Sequence, residues 1–354
     1  MRALRRAAKR FVARIAAWLL GGSRPPRRLT GPPERILVLR IDERVGNVLL
    51  TSPLFAALRA AFPNARIDAL VAASKVSLVE NVVETIPFEK RDVFRRPLRF
   101  VRLMFALRRR AYDVVIDASH WHHFSATSAA LLAWTGGGLR IAHDRGQADR
   151  FATNAIPPPA GVESEVATKI RLLAPLLNAP PCPPMSTPLG REGPARAKMD
   201  AWLEAAGSGP FVGLAPGARK PDHRVDPSVF ARLGVAAREA GATPLVLWGP
   251  GELELAERVA SGCDGIVAPD TNLDELAALM RRCAAVVTND TGPMHLSVAC
   301  GAATVALFLR ADPNRWGHAT PPHAVMACDG LDPDVIVARA APLLVERLTR
   351  PPRA

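Results

Sequence analysis

The sequence predicts an α/β protein built from two doubly wound domains, and three observations carry that prediction. Short apolar runs of strand length recur along the chain. Helical patterns separate most of them. The alternation stops once, across a proline-dense stretch, and then resumes. Runs that are apolar throughout, rather than alternating, are what strands of a parallel sheet covered on both faces require.

The elements follow in order. Residues 1–30 form a basic amphipathic segment. Leu4, Ala8, Phe11, Ile15, Trp18 and Leu19 recur at helical spacing, with Arg2, Arg5, Arg6, Lys9, Arg10 and Arg14 between them. Such a segment suits a membrane interface. A mobile basic arm is a second reading, and a signal peptide a third, although the apolar part is short and no small-residue cleavage site follows it. The first domain, 31–185, takes strands at 35–41, 66–72 and 113–118 and a helix at 48–62. Between its second and third strands lies another basic block. Arg91, Arg95, Arg96, Arg99, Arg102 and Arg108 to Arg110 alternate there with Phe94, Leu98, Val101, Phe105 and Leu107. It reads either as a solvated helix packed on the sheet or as a membrane contact. From 157 to 193 only one helical pattern, 166–177, stands between Pro157-Pro158-Pro159 and Pro180-Pro181-Cys182-Pro183-Pro184. Proline-dense chain makes stiff connectors. The second domain, 186–354, resumes with strands at 211–215, 244–249, 284–288 and 304–308. Its helices are expected at 229–240, 252–261, 273–282 and 293–300. Ligands of such sheets sit at the C-terminal strand edge, so a cleft between two facing domains is expected.

Composition narrows the function classes. With 49% hydrophobic and 22% charged residues the chain is globular rather than disordered. Lys and Arg number 46 against 33 Asp and Glu, a formal charge of +13, which favours anionic partners. The basic blocks lack a nucleic-acid reading module, so nucleic acid is not among the expected partners. No run approaches the ~20 apolar residues that cross a bilayer. Cys182, Cys263, Cys283, Cys300 and Cys328 are scattered and odd in number, without metal or redox spacing, and read as free thiols. Neither a G-x-G-x-x-G nor a P-loop is present, which argues against dinucleotide dehydrogenases and NTPases.

Four loops after predicted strands carry candidate chemistry. The first, Arg40-Ile41-Asp42-Glu43-Arg44-Val45-Gly46-Asn47, offers two carboxylates and an amide, with Asn47 as a possible helix cap. The second, Ala215-Pro216-Gly217-Ala218-Arg219-Lys220-Pro221-Asp222-His223-Arg224, is a cationic glycine turn: a phosphate clamp or a basic surface loop. In the third, Trp248-Gly249-Pro250-Gly251-Glu252, the carboxylate can accept from ribose hydroxyls or complement a helix dipole. The fourth, Thr288-Asn289-Asp290-Thr291-Gly292-Pro293-Met294-His295-Leu296, turns a strand into a helix. Its first-turn amides can bind an anion, with His295 one turn in; a plain helix cap at Asp290 or Thr291 is the other reading. Asp332-Pro333-Asp334 reads as capping. His120, His122 and His123, around Trp121, read as a loop lining a sugar site, because no acidic or thiol partner for a metal is evident nearby.

Together these loops resemble the lipopolysaccharide heptosyltransferases, glycosyltransferase family 9, of the GT-B fold. The likeness runs from about residue 35 to 318. It includes Ile36-Leu37-Val38-Leu39-Arg40, Leu50-Thr51-Ser52-Pro53, Tyr112-Asp113-Val114-Val115-Ile116-Asp117, Pro216-Gly217-Ala218 and Asp312-Pro313-Asn314-Arg315-Trp316-Gly317, besides the Asp-Thr-Gly turn. The resemblance implies two Rossmann-like domains and a bacterial enzyme at the cytoplasmic face of the inner membrane. It implies inverting, metal-independent transfer of a sugar, typically heptose from ADP-heptose, to a glycolipid acceptor, with no cofactor. The nucleotide-sugar donor would be held by Lys220, Arg224, Glu252, Asp290, Thr291, Gly292, Met294 and His295. An anionic membrane surface would be a partner, and the chain a monomer. Three departures stand out. Asn47 occupies the position of the family's usual Asp base, and an amide cannot take a proton from a hydroxyl at neutral pH. Asp42, or failing it Glu43, is then the expected base. His223 falls where the family has Lys, and Leu309-Arg310-Ala311 replaces a common Gly-Pro-Thr. The alternative the Asn47 exchange leaves open is a nucleotide-sugar-binding protein with lost or altered transferase activity.

Overall fold

The computed structural model describes residues 29–349 except 81 and 147. The N-terminal amphipathic segment, up to residue 28, lies outside them. The chain forms two compact units that divide between Pro184 and Met185.

The first unit runs β1 (Arg35–Arg40), α1 (Val45–Leu49), α2 (Ser52–Ala61), β2 (Arg66–Ala72), β3 (Glu84–Phe88), α3 (Asp92–Arg95), α4 (Pro97–Arg109), β4 (Val114–Asp117), α5 (Ala126–Thr135), β5 (Leu139–His143), β6 (Asn154–Ile156) and α6 (Glu165–Arg171). Its six strands lie in the order β3-β2-β1-β4-β5-β6, and β1 pairs in parallel with both β2 and β4. Ile36, Leu37, Val38 and Leu39 have no exposed surface, as a central strand covered on both faces demands.

The second unit runs α7 (Pro194–Ala206), β7 (Phe211–Ala215), α8 (Pro227–Glu239), β8 (Thr243–Val246), α9 (Leu253–Cys263), β9 (Ile266–Val267), α10 (Leu273–Arg282), β10 (Cys283–Asn289), α11 (Gly292–Cys300), β11 (Ala303–Phe308), α12 (Pro313–Trp316), β12 (Ala324–Ala327) and α13 (Pro333–Thr349). Its strand order is β12-β11-β10-β7-β8-β9. One apolar core joins Val212, Leu214, Val229, Phe230, Leu233, Val259, Val287 and Leu307 beneath the sheet.

Both sheets are parallel, and each reverses its winding once, between β1 and β4 and between β10 and β7. In open α/β sheets the crevice for a ligand lies at that reversal, outside the strand C-termini. The loops that leave those four strands therefore border the expected crevices.

The helix expected over 48–62 is two helices. Pro53 lacks an N–H and would clash with the carbonyl four residues back, so the helix breaks and restarts at Ser52. Asn47 is not a helix cap: it lies inside α1, and Arg44 takes the cap position. At the start of α13 the Asp334 N–H donates to Asp332 Oδ1 at 2.9 Å, the expected cap.

Candidate active site

In the first unit the chain leaves β1 at Arg40 and turns through Asp42 into α1. Asp42 Oδ1 accepts from the Arg44 N–H and Oδ2 from Asn47 Nδ2, each at 2.8 Å. The amide thus points at the carboxylate and holds it. Partial burial pushes the Asp42 pKa up, but the Arg40 charge and these two hydrogen bonds outweigh burial and bring it below the ordinary value. Asp42 is therefore ionised at neutral pH. Glu43 is exposed.

Around this loop lies a buried polar cluster. Arg40 is 1% exposed and donates from Nε to the Asn47 carbonyl and from one terminal nitrogen to the Ala118 carbonyl, both at 2.8 Å. Its other terminal nitrogen is 3.2 Å from His120 Nε2. His120 Nδ1 is 2.6 Å from Glu165 Oε2. Glu165 Oε2 also accepts from Lys169 Nζ at 3.1 Å. Burial pushes the Lys169 ammonium down to about 7 and the His120 ring to about 3. At the end of β4, Asp117 pairs with Arg145 at 2.9 Å. Arg145 also clamps the carbonyls of Ser119 and His120. His143, the last residue of β5, has no exposed surface, and neither ring nitrogen has a hydrogen-bond partner. Its pKa is pushed down to about 3 by burial, with Lys169 and Arg145 acting in the same direction.

Glu165 is the acidic partner that the sequence did not reveal for the histidine loop. Nitrogen and oxygen atoms of His120, His122 and Glu165 come within 4.8 Å of one another. A guanidinium only donates, so His120 Nε2 must accept from Arg40 and Nδ1 must carry the proton toward Glu165. That leaves Nδ1 without the lone pair a metal needs, and Glu165 Oε2 is already engaged by Lys169 Nζ. The residues fit a hydrogen-bonded charge network better than a metal centre.

In the second unit three loops meet at the reversal point. Asn289, at the end of β10, is fully buried and ties its own loop to the one after β7. Its Oδ1 accepts from the Val225 N–H at 3.0 Å, and its Nδ2 donates to the Pro216 and Gly217 carbonyls at 2.8 and 3.3 Å. Asp290 follows. Burial raises its pKa, with His223 and Lys220 acting the other way, and His223 Nδ1 is 3.8 Å from its Oδ2. Arg224 lies 3.8 Å from Glu252 Oε1. Glu252 Oε2 accepts from the Gly249 N–H at 3.1 Å. Gly217 faces that carboxylate so closely that a β-carbon there would collide with it. Lys220, Arg224, Glu252 and Asp290 are thus brought to one place.

Thr291 is the N-cap of α11, but its side chain does not bond the helix amides. Its hydroxyl donates to the Asn289 carbonyl at 3.3 Å. Of the expected anion-binding amides, Pro293 has no N–H, and that of Met294 turns back on the Thr291 carbonyl at 3.2 Å. The amides of Thr291 and Gly292 are the ones the geometry leaves at the helix end. His295 is buried and meets His318 through Nδ1 at 2.9 Å. Asn289 and His318 are further polar members of this cluster that the sequence pattern does not single out. Asn289 stands inside the motif, but its neighbour Asp290 carries the charge that marks a candidate.

A family model described as glycosyltransferase family 9 (heptosyltransferase) matches residues 100–330. The chain belongs to glycosyltransferase family 9. Lipopolysaccharide heptosyltransferase 3 of Escherichia coli is 23% identical over 289 residues, covering 77% of this chain and 82% of that protein. Among solved structures, a family 9 glycosyltransferase from Veillonella parvula superposes with a TM-score of 0.72 at 22% identity, covering 85% of this chain and 87% of its own. E. coli heptosyltransferase WaaC, solved with ADP, gives 0.69 at 22% identity, covering 89% of this chain and all of its own. The fold is that of the GT-B heptosyltransferases, and this family 9 member is a glycosyltransferase.

Proposed function

We propose that this enzyme transfers a heptose from ADP-heptose to a lipopolysaccharide-type glycolipid, with inversion and with neither cofactor nor metal. The observation that carries the donor half is the meeting of three loops around the start of α11. The cations of Lys220 and Arg224 and the Thr291 and Gly292 amides suit a diphosphate. Fixed positive charge there favours the transition state, in which negative charge grows on the leaving phosphate. Glu252 would accept from ribose hydroxyls, and Asp290 would orient hydroxyls of the sugar. The ADP in the WaaC structure supports an adenine nucleotide as the carrier.

Asp42 would be the base. It is a carboxylate at the C-terminal end of β1, ionised at neutral pH, and aimed by Asn47 Nδ2. It would accept the proton of the attacking acceptor hydroxyl as that oxygen bonds the anomeric carbon and the phosphate leaves from the opposite face. Asn47 then serves as the orienting amide beside the base. That arrangement favours a working transferase over a binding protein that has lost activity.

The acceptor would be met at the cytoplasmic face of the inner membrane. Among the described residues no helix is long and apolar enough to cross a membrane. Leu98, Val101 and Phe105 share an outward stripe of α4, and Phe94 precedes it; they are 74%, 46%, 54% and 88% exposed. Arg91, Arg95, Arg96, Arg99, Arg102 and Arg109 surround them. The opposite face of α4, with Met104 and Leu107, packs into the core. An outward apolar stripe edged by arginines suits an anionic lipid surface.

The test is product analysis. The purified chain is given ADP-heptose or UDP-sugars, with and without a glycolipid acceptor, and products are read by mass and anomeric NMR. Acceptor-dependent addition of one heptose with inverted configuration is expected. Donor turnover without acceptor, or transfer only from UDP-sugars, would overturn the reading.

A further inference from the structure

A chain of hydrogen bonds at the C-terminal ends of the first sheet's central strands ends on the residue that aims Asp42. Lys169 donates to Glu165, Glu165 accepts from His120 Nδ1, His120 Nε2 accepts from Arg40, and Arg40 donates to the Asn47 carbonyl. The side chain of Asn47 in turn donates to Asp42. These groups come from β1, α1, the loop after β4 and α6. Glu165 and His120 are 45 residues apart, and His120 and Arg40 are 80 apart.

Resting on Asp42 as the base, we infer that Glu165 and His120 are positioning residues for the transfer. The carboxylate fixes the tautomer of the imidazole, the imidazole holds Arg40, and Arg40 holds Asn47 and hence the direction of the Asp42 carboxylate.

Three observations support this over a merely structural strut. First, Glu165 and Lys169 have no exposed surface. Burying such a pair costs desolvation, and apolar residues of like volume often stabilise a core as well or better. Stability alone gives little reason for the pair. Second, the chain lies at the C-terminal ends of β1 and β4, where the sheet reverses and a ligand is expected. Third, each link has one workable donor direction. Arg40 can only donate, which dictates the His120 tautomer, and that tautomer requires an acceptor where Glu165 stands. A glutamine there could offer its own N–H to Nδ1, drive the proton to Nε2 and set two donors face to face at Arg40.

The test uses the full chain with Glu165→Gln, the charge-balanced double variant Glu165→Gln/Lys169→Met, and His120→Gln. Donor affinity is read by calorimetry, and kcat by single turnover. The expected result is a fall in kcat of about 10- to 100-fold, the scale of a small misplacement of a reacting group. Donor affinity should stay within about twofold, because the donor loops belong to the second unit. The acid limb of the kcat/KM profile should move to higher pH as Arg40 loses its hold beside Asp42. The double variant should regain thermal stability without regaining kcat. Histidine side-chain nitrogen NMR should show His120 protonated on Nδ1 in the wild type and mixed in Glu165→Gln. Wild-type kcat in the double variant, or the Nε2–H tautomer in the wild type, would overturn the inference. If the wild type transfers no sugar, the proposed function fails instead, and the NMR comparison still decides whether Glu165 sets the tautomer.

Discussion

Replacing Asn47 by Asp, the residue family 9 usually has there, puts two carboxylates where the structure has a carboxylate and an amide. Asn47 Nδ2 lies 2.8 Å from Asp42 Oδ2, so the two charge centres would stand about 4 Å apart. At an effective dielectric near 20 that repulsion is ~4 kcal/mol. Since ~1.4 kcal/mol corresponds to one pKa unit, the second ionisation of the pair rises by about three units. Asp42 now titrates below the ordinary carboxylate value. In Asn47→Asp the pair would hold a shared proton to well above the ordinary carboxylate range. The assay is the pH dependence of single-turnover transfer from ADP-heptose. The wild type should be flat from pH 5 to 8. The variant should match it near pH 8 and fall about tenfold by pH 5. A profile that superimposes on the wild type would refute the claim that Asn47 and Asp42 act as one pair. A variant faster at every pH would place the base at position 47.

Three further outcomes follow from the same geometry. Gly217→Ala should push the Glu252 carboxylate aside and weaken donor binding about tenfold by calorimetry, the worth of a charged hydrogen bond or two, without altering the thermal midpoint by more than a few degrees. His143 and His120 titrate near 3 in the folded chain against about 6.5 unfolded. Between those values the unfolded chain binds more protons, so stability present above pH 6.5 is lost as the pH falls toward 3. His143→Leu should make that loss shallower, by about 3 kcal/mol at most near pH 4, read as urea midpoints from pH 7 to 4; an unchanged slope would count against the buried neutral ring. Phe94→Ser/Leu98→Ser/Phe105→Ser should reduce co-sedimentation with phosphatidylglycerol vesicles, leave solution transfer to a soluble acceptor intact, and show little change with phosphatidylcholine vesicles, which the wild type should bind poorly.

Much of the fold was legible because long central strands and long helices carry their own signal. β1, β2, β4, β7, β10 and β11 are apolar runs, and the strand–helix rhythm between them specifies parallel pairing. The strands that escaped were short or at sheet edges: β3 contains Pro87, β6 has three residues, β9 two, and β12 is a four-residue edge strand. β5 escaped because Arg140 and His143 interrupt its apolar character, although both are buried. The residues proposed for the donor were legible as candidates because each lies in a loop, or at the helix start, that follows a strand. The network behind Asp42 was not. Ser164 caps α6 and Glu165 follows it, so from sequence Glu165 is indistinguishable from an ordinary first-turn acid. A clue existed in its spacing: Glu165, Lys169 and Leu172 share one helical face, and the charges therefore lie on the buried side. Local pattern cannot say that His120 and Arg40 are what that face meets.

The most direct measurement is single-turnover transfer by Asp42→Asn beside the wild type, with donor affinity measured on the same samples. A drop of at least ~100-fold in the rate, with ADP-heptose binding unchanged, is the predicted result. Transfer at the wild-type rate by Asp42→Asn would remove the base from Asp42 and with it the mechanism built on this loop.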